Sequence, residues 1–365
     1  MKILLTGADG FLGWHTRTRL SAQGDHEVVP VTRSMWGQLS ALARDVDAII
    51  HVAGVNAHGE PTGNSDLAAQ VAEAARNSDS CTRIVYANTI HAGNGTPYGS
   101  DKARSAEILS EVAAEKGAKF VNLRFPNLFG EHARPNYNTF VATFIQAVID
   151  GTVPNIVDRP IALLHAQEAA QALIDGLTLE RTASEAEALA LPIMGSQATV
   201  RGVYDMLLHF DRLYSKGDIP ALRSPFEVSL FNSYRAALFP LRSPIPLVKH
   251  ADQRGSFFET VRVVDGGGQT SFSTTVPGVT RGNHYHLRKI ERFVVLSGNA
   301  RISLRRIFSD EVVSFDVSGD EPCVVDMPTM WSHNIINIGS ETLTTLFWIN
   351  ELFDPGDPDT FAEVV

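Results

Sequence analysis

Over the first half of the chain, short apolar runs rich in β-branched residues alternate with segments of helical length. The runs are KILLTG from Lys2, VVPVTR from Val28, AIIHVAG from Ala48, RIVYAN from Arg83 and FVNLRFPN from Phe120. Strands that alternate with helices build a parallel sheet covered on both faces. From Thr199 to about Leu241 the period changes, with Val203, Met206, Leu207 and Phe210 recurring at helical spacing. That spacing predicts helices, expected to close the ligand side of the first domain. Beyond Pro244, short runs of Val, Phe, Ile and Thr are cut by Gly, Asp and Asn, the pattern of an all-β unit. The expectation is an α/β domain over residues 1–245 and an all-β domain over residues 246–365.

Composition agrees, because 365 residues, 44% of them hydrophobic, exceed one average core. A formal net charge of -10 argues against a general nucleic-acid binder, which needs a basic surface to displace phosphate counterions. The chain has no run of apolar residues long enough to span a bilayer, and its start, MKILLTGADGFLG, lacks the parts of a signal peptide. The expectation is a cytoplasmic protein with no membrane insertion. Cys81 and Cys323 stand far apart without ligand-like spacing and are expected as buried, reduced thiols.

The first run leads straight into Gly7, Gly10-Phe11-Leu12-Gly13 and a segment that can be helical. Glycine lets the backbone turn sharply and approach a pyrophosphate, which then sits at the positive end of the helix. The second run ends in Thr32-Arg33, with no acidic residue to hold the adenosine ribose hydroxyls of NAD. Arg33 can instead pair with a 2′-phosphate, so NADPH is the expected cofactor.

Tyr98 and Lys102 are four residues apart, and on a helix both project from one face. An ammonium beside the phenol is expected to pull its pKa towards neutrality, so that Tyr98 trades a proton with a carbonyl during hydride transfer. Thr89, just after the fourth run, can donate a hydroxyl hydrogen bond to the same carbonyl, with Asn88 and Ser100 as competitors for that role.

In the second domain Gly278 is followed by His284-Tyr285-His286, then by Glu291 and Gly298, and later by Pro328, His333 and Asn337. Alternate residues of a strand share a face, so His284 and His286 can converge with Glu291 and His333 on one cation inside a small barrel. This nitrogen and oxygen set suits zinc, with manganese, iron or nickel as other occupants.

These residues resemble known families. Gly7, Gly10, Gly13, His51-Val52-Ala53-Gly54, Thr89, Tyr98 and Lys102 look like the extended short-chain dehydrogenases with a Rossmann fold, in which Ala53 and Gly54 line the cofactor. The histidine and glutamate intervals match the two motifs of the cupins, which implies an all-β jelly-roll, although Met330 replaces a usual glycine. The stretches Arg124 to Gly130 and Arg134 to Asn138, then Asp252 to Phe257, Gly282 to His286, Lys289 and Asn350 to Pro355, resemble the CapF-type capsular polysaccharide enzymes over essentially the whole chain.

That resemblance implies a cupin that epimerises carbon 3 of a UDP-2-acetamido-2,6-dideoxy-4-hexulose, and a dehydrogenase domain that reduces the ketone at carbon 4 to an L-talose type product. It further implies that Asn127, Arg134, Asn136 and Asn138 contact the sugar nucleotide. Arg254 is a candidate for the diphosphate, and Lys289, Tyr285 and the histidines are candidates for moving the carbon 3 proton. A homodimer is expected. Relatives carry Ser-Ser-Ser where this chain has Ala87-Asn88-Thr89, which keeps a hydroxyl at Thr89 and implies an altered rate. Two other readings remain: a single-function reductase with a structural cupin, and a non-catalytic sugar-nucleotide scaffold.

Overall fold

The computed structural model describes residues 1–56, 62–179, 190–248, 250–252, 255–257, 260–264 and 267–365, and these form two compact units. The first comprises Met1–Phe129, Tyr137–Thr139 and Arg159–Thr199. It contains β1 (Lys2–Thr6), α1 (Phe11–Gln23), β2 (Glu27–Val31), α2 (Leu39–Leu42), β3 (Ala48–His51), α3 (Gly63–Arg76), β4 (Arg83–Thr89), α4 (Pro97–Lys116) and β5 (Lys119–Phe125). Then follow β6 (Asn127–Phe129), β7 (Pro160–His165), α6 (Ala166–Asp175), β8 (Ala190–Pro192) and β9 (Ser196–Thr199).

All pairings in the main sheet are parallel, in the order β2-β1-β3-β4-β5-β8. One face packs Leu4, Ile49, Ile84 and Tyr86 on α3 and α4, while the other packs Ile3, Ile50, Val85 and Leu123 on α6. The expected α/β layering therefore holds. Pro30 is tolerated because β2 lies at the sheet edge, where its missing N–H breaks no second ladder. Helix α4 is framed by its own sequence: Thr96 accepts the Gly99 N–H at 3.0 Å, Pro97 starts the first turn and Gly117 ends it at φ 65°.

The second unit comprises Gly130–Asn136, Phe140–Asp158 and Val200–Val365. It holds α5 (Phe140–Ile149), α7 (Val200–Tyr214), β10 (Ile219–Pro220), α8 (Pro225–Leu238), β11 (Ile245–Pro246), β12 (His250–Asp252), β13 (Gly255–Phe257) and β14 (Val263–Val264). The rest is strand: β15 (Gln269–Thr275), β16 (Thr280–Tyr285), β17 (Glu291–Ser297), β18 (Asn299–Arg306), β19 (Val312–Ser318), β20 (Cys323–Met327), β21 (Trp331–Asn337), β22 (Leu343–Ile349) and β23 (Phe361–Ala362).

Two five-stranded sheets, β11-β20-β17-β22-β15 and β19-β18-β21-β16-β23, enclose a core of Phe293, Val295, Ile302, Leu304, Val325, Met327 and Ile335. This is the all-β architecture expected of a jelly-roll.

The compact units do not divide at residue 245. Helices α7 and α8 join the β-sheets through polar bonds: Tyr214 of α7 donates to Asp326, which also pairs with Arg292 of the neighbouring strand, and from α8 Arg235 donates to the Met327 carbonyl and Asn232 to that of Arg288. Helix α8 ends at Leu238 and β11 begins at Ile245, but hydrophobic patterning does not register polar bonds between elements far apart in sequence. Among the described residues no helix is long and apolar enough to cross a membrane. Cys81 is buried and Cys323 half-buried, both as free thiols that burial pushes up in pKa.

Candidate functional sites

The glycine turn after β1 is built for close backbone approach. Gly7 lies at φ 69°, and a Cβ there would come within 2.8 Å of the Ala53 backbone. A Cβ on Gly13 would lie 1.9 Å from the Gly7 carbonyl oxygen, so no larger residue fits. Gly10 N-caps α1, whose first turn carries no acidic residue, and Phe11 and Leu12 follow it. The first turn of α1 thus directly follows the C-terminal end of β1, the edge of the sheet where doubly wound folds take their ligands. The floor is tied together by Thr6, whose hydroxyl accepts the Ala53 N–H at 3.2 Å and lies 2.7 Å from His51 Nδ1. Gly54 abuts Asn64. Thr32 bonds Ser34, and Arg33 is exposed beyond the end of β2.

Thr89 is the last residue of β4, Tyr98 stands in the first turn of α4 and Lys102 one turn further on. Lys102 is buried, with Nζ 2.9 Å from the Ala87 carbonyl and 4.3 Å from the centre of the Tyr86 ring. Burial pulls its pKa down to about 7, despite the opposing Asp101. Tyr98 departs from expectation: burial, and then the Asp101 carboxylate, push its phenol up, not towards neutrality.

The Thr89 hydroxyl accepts the His91 N–H at 3.2 Å, a bond that leaves its own proton free to donate. Asn88 is instead committed to the fold, donating to Asn122 at 2.9 Å and accepting from the Thr89 N–H. Ser100 is exposed on α4. Asp101, which sequence reasoning passed over, accepts the N–H groups of Asn64 and Ser65 at 2.9 and 3.0 Å. It thereby fastens the start of α3 to α4. Burial pushes its carboxyl up, but those bonds outweigh it and hold the group below its ordinary value.

The expected sugar-nucleotide contacts are distributed over both units. Asn127 and Asn138 lie in the first, Arg134 and Asn136 in the second, and all four are exposed. Asn136 adopts φ 54° and donates its N–H to Thr143. Arg254 lies outside the described residues.

In the second unit the anticipated cluster forms. His284 and His286 come from β16 and its end, His333 from the paired β21, and Glu291 from β17 of the facing sheet. Their ligand atoms all lie within 4.8 Å of one another. Burial pushes the Glu291 carboxyl up, but contacts with the three imidazoles outweigh this and hold it well below the usual range.

The hydrogen bonds on the far side of two rings decide what the cluster can hold. His286 Nδ1 lies 2.6 Å from the Asp359 carbonyl oxygen and His333 Nδ1 3.2 Å from that of Trp331. A carbonyl only accepts, so in both rings Nδ1 carries the proton and a neutral ring turns a bare Nε2 inward. Those Nε2 atoms face Glu291 Oε2 at 3.0 and 3.1 Å. With both rings neutral, two imidazole nitrogens and a carboxylate oxygen converge as acceptors, a donor set that fits a divalent metal.

Met330, in place of the usual glycine, adopts φ 62° and is fully buried, with its N–H on the His286 carbonyl at 2.7 Å. The turn is retained. Tyr285, also a candidate for moving the proton, is fully buried. It lies between the two histidines, so strand alternation turns it to the opposite face, where it is buried against Phe361. Lys289 is buried two residues before Glu291, with Nζ 3.2 Å from Thr360 Oγ1.

Comparison with known proteins bears on both units. Residues 3–169 match the NAD dependent epimerase/dehydratase family and residues 250–361 the polysaccharide biosynthesis C-terminal domain. The chain is 33% identical over 370 residues, 99% of its own length and 98% of the relative's, to the UDP-2-acetamido-2,6-beta-L-arabino-hexul-4-ose reductase of Pseudomonas aeruginosa. A shorter likeness, 29% over 122 residues, covers 31% of this chain and 81% of the spore coat polysaccharide biosynthesis protein SpsL of Bacillus subtilis. Among solved structures, the capsular polysaccharide assembling protein CapF from Staphylococcus aureus is similar at 31% identity and a TM-score of 0.63, with 100% of both chains covered.

Proposed function

The chain belongs to the family of CapF-type capsular polysaccharide enzymes, and from that premise we propose that it epimerises carbon 3 of a UDP-2-acetamido-2,6-dideoxy-4-hexulose and reduces the ketone at carbon 4. At the coarser level it is a nucleotide-sugar enzyme of the reductase and epimerase type that takes a nicotinamide cofactor. The observation that carries the reductase reading is the grouping of Thr89, Tyr98 and Lys102 at the C-terminal end of β4, in the sheet that opens with the glycine turn.

Bound NADPH would supply the hydride, with Arg33 pairing its 2′-phosphate and Gly7 to Gly13 receiving its pyrophosphate. Thr89 donates its hydroxyl to the ketone and fixes the oxygen for Tyr98. Tyr98 gives its proton to that oxygen as the alkoxide develops; a phenol held up by burial is protonated at neutral pH and ready to act as the acid. Lys102 reloads it. Asn127, Arg134, Asn136, Asn138 and Arg254 are the proposed contacts to the sugar nucleotide.

In the second unit His284, His286, Glu291 and His333 would hold a divalent metal, zinc by their chemistry, which would polarise the ketone oxygen. A ketone at carbon 4 acidifies the hydrogen on carbon 3, so that a base removes it and an acid returns a proton to the other face. Lys289, Tyr285 and the histidines are the proposed candidates for carrying that proton. The burial of His286, Glu291 and His333 favours a second reading, in which the metal only holds the sheets together. The protein is proposed to work in the cytoplasm as a homodimer.

The test is incubation with a UDP-4-keto-6-deoxy amino sugar in deuterated water, with and without NADPH. Deuterium at carbon 3 without NADPH, and a reduced product only with it, is the expected result. Reduction without exchange would leave the single-function reductase, and neither would leave a sugar-nucleotide scaffold.

A further inference from the structure

The segment from Asn350 to Glu363 is used by neither reaction scheme above, yet it holds the loop that carries the metal ligands. Ala362 and Phe361 pair with His284 and Tyr285, and Asn350 Oδ1 accepts the Ile290 N–H at 2.9 Å. Asp359 is the centre of this contact. Its side chain accepts three successive backbone N–H groups, those of Leu287, Arg288 and Lys289, at 3.1, 3.0 and 2.9 Å. Its main-chain carbonyl accepts the Nδ1 proton of His286 at 2.6 Å. The residue is only 3% exposed and is held at φ 42°.

Each of these bonds acts on a feature that a metal site needs. A carboxylate ringed by amide N–H groups makes charge-assisted bonds that fix a tight turn. The carbonyl bond to Nδ1 selects the His286 tautomer whose Nε2 is bare, and it sets the ring plane. One residue therefore fixes both the orientation of a ligand and the turn that leads from it to Lys289 and Glu291. We propose that Asp359 is the positioning residue of the cation site, acting through His286 and the Leu287–Lys289 turn. The inference rests on reading the histidine and glutamate cluster as a cation site.

Asp359→Asn is the suitable variant, because asparagine accepts the left-handed backbone and keeps the side-chain shape while losing the charge. Metal-free parent and variant are titrated with Co2+, followed by ligand-field absorption, and amide hydrogen exchange is measured on both. The parent should bind one equivalent. The variant should bind about 10–100-fold more weakly, with a changed ligand-field band, as expected when an outer partner of a ligand is lost. Its amides at Leu287, Arg288 and Lys289 should lose about 10-fold or more in exchange protection.

Parent-like affinity and absorption in the variant would overturn the proposal. So would an equal loss in Glu351→Gln, which weakens one of the two carboxylate partners of the Arg288 side chain on the same turn and would point to general loosening. A parent protein that takes up no Co2+ would instead overturn the cation reading, and the three amides would still report on the clamp.

Discussion

Lys102 donates from Nζ to the Ala87 carbonyl at 2.9 Å, a bond that holds the amine in a buried pocket against the Tyr86 ring. Burial lowers its pKa from 10.5 to about 7, which makes the folded state bind fewer protons than the unfolded state between those values. Where the unfolded chain binds more protons, stability rises with pH. The cofactor-free protein should therefore gain stability from pH about 7 upwards, by up to about 1.4 kcal/mol per pH unit from this group. Lys102→Met should flatten that rise, and chemical denaturation of both proteins at pH 7 and 9 is the check.

Tyr98→Phe should lower ketone reduction by a factor of about 100 to 10,000, the range for losing a positioned proton donor. NADPH binding and deuterium exchange at carbon 3 should stay near the parent level, because the phenol acts only in the transfer at carbon 4. Undiminished NADPH oxidation would remove Tyr98 from the mechanism.

The parts of the molecule that are legible in sequence are those written at short range. The glycine spacing from Gly7 to Gly13, the alternation at His284 and His286 and the run-by-run strand order all depend on neighbours within a few residues. What is not legible depends on partners brought together by folding. Asp101 shows nothing in sequence of its role in capping α3, and Asp359 lies far along the chain from the histidine it orients. Tyr285 sits beside two ligands in sequence and is separated from them by the pleat. The shift of Tyr98 has the same origin, since Tyr-x-x-x-Lys spacing reports proximity but not the burial that dominates both groups.

Arg33→Ala should weaken NADPH binding much more than NADH binding, by about tenfold or more, since only NADPH offers a 2′-phosphate for a charge-assisted bond. Titration of each cofactor by fluorescence measures the ratio. Equal losses would show that Arg33 does not discriminate between them.

Gly13→Ala should abolish nucleotide binding and destabilise the first unit by about 1–3 kcal/mol, because its Cβ would strike the Gly7 carbonyl and move the turn. Gly37→Ala is the matched control, with nothing within 4 Å of the added methyl group. Its stability should stay within about 0.5 kcal/mol of the parent. Thermal melts with and without NADPH separate the two effects.

The remaining prediction concerns how the two reactions are coupled. Epimerisation through an enolate is reversible and by itself leaves a mixture of carbon 3 epimers. If the dehydrogenase pocket prefers one epimer, hydride transfer drains the mixture towards a single product. His284→Ala or His333→Ala should then abolish deuterium incorporation at carbon 3 while NADPH still binds. The ligands also contribute metal-binding energy to the fold, so loss of exchange could follow from unfolding of the sheets. A thermal melt of each variant separates the causes, and His284, the most exposed of the four at 24%, is the less disruptive site to change. A folded His284→Ala protein without metal should lack exchange. If that folded, metal-free protein exchanges the carbon 3 hydrogen at the parent rate, the metal has no part in the chemistry and its role is to hold β16, β17 and β21 together.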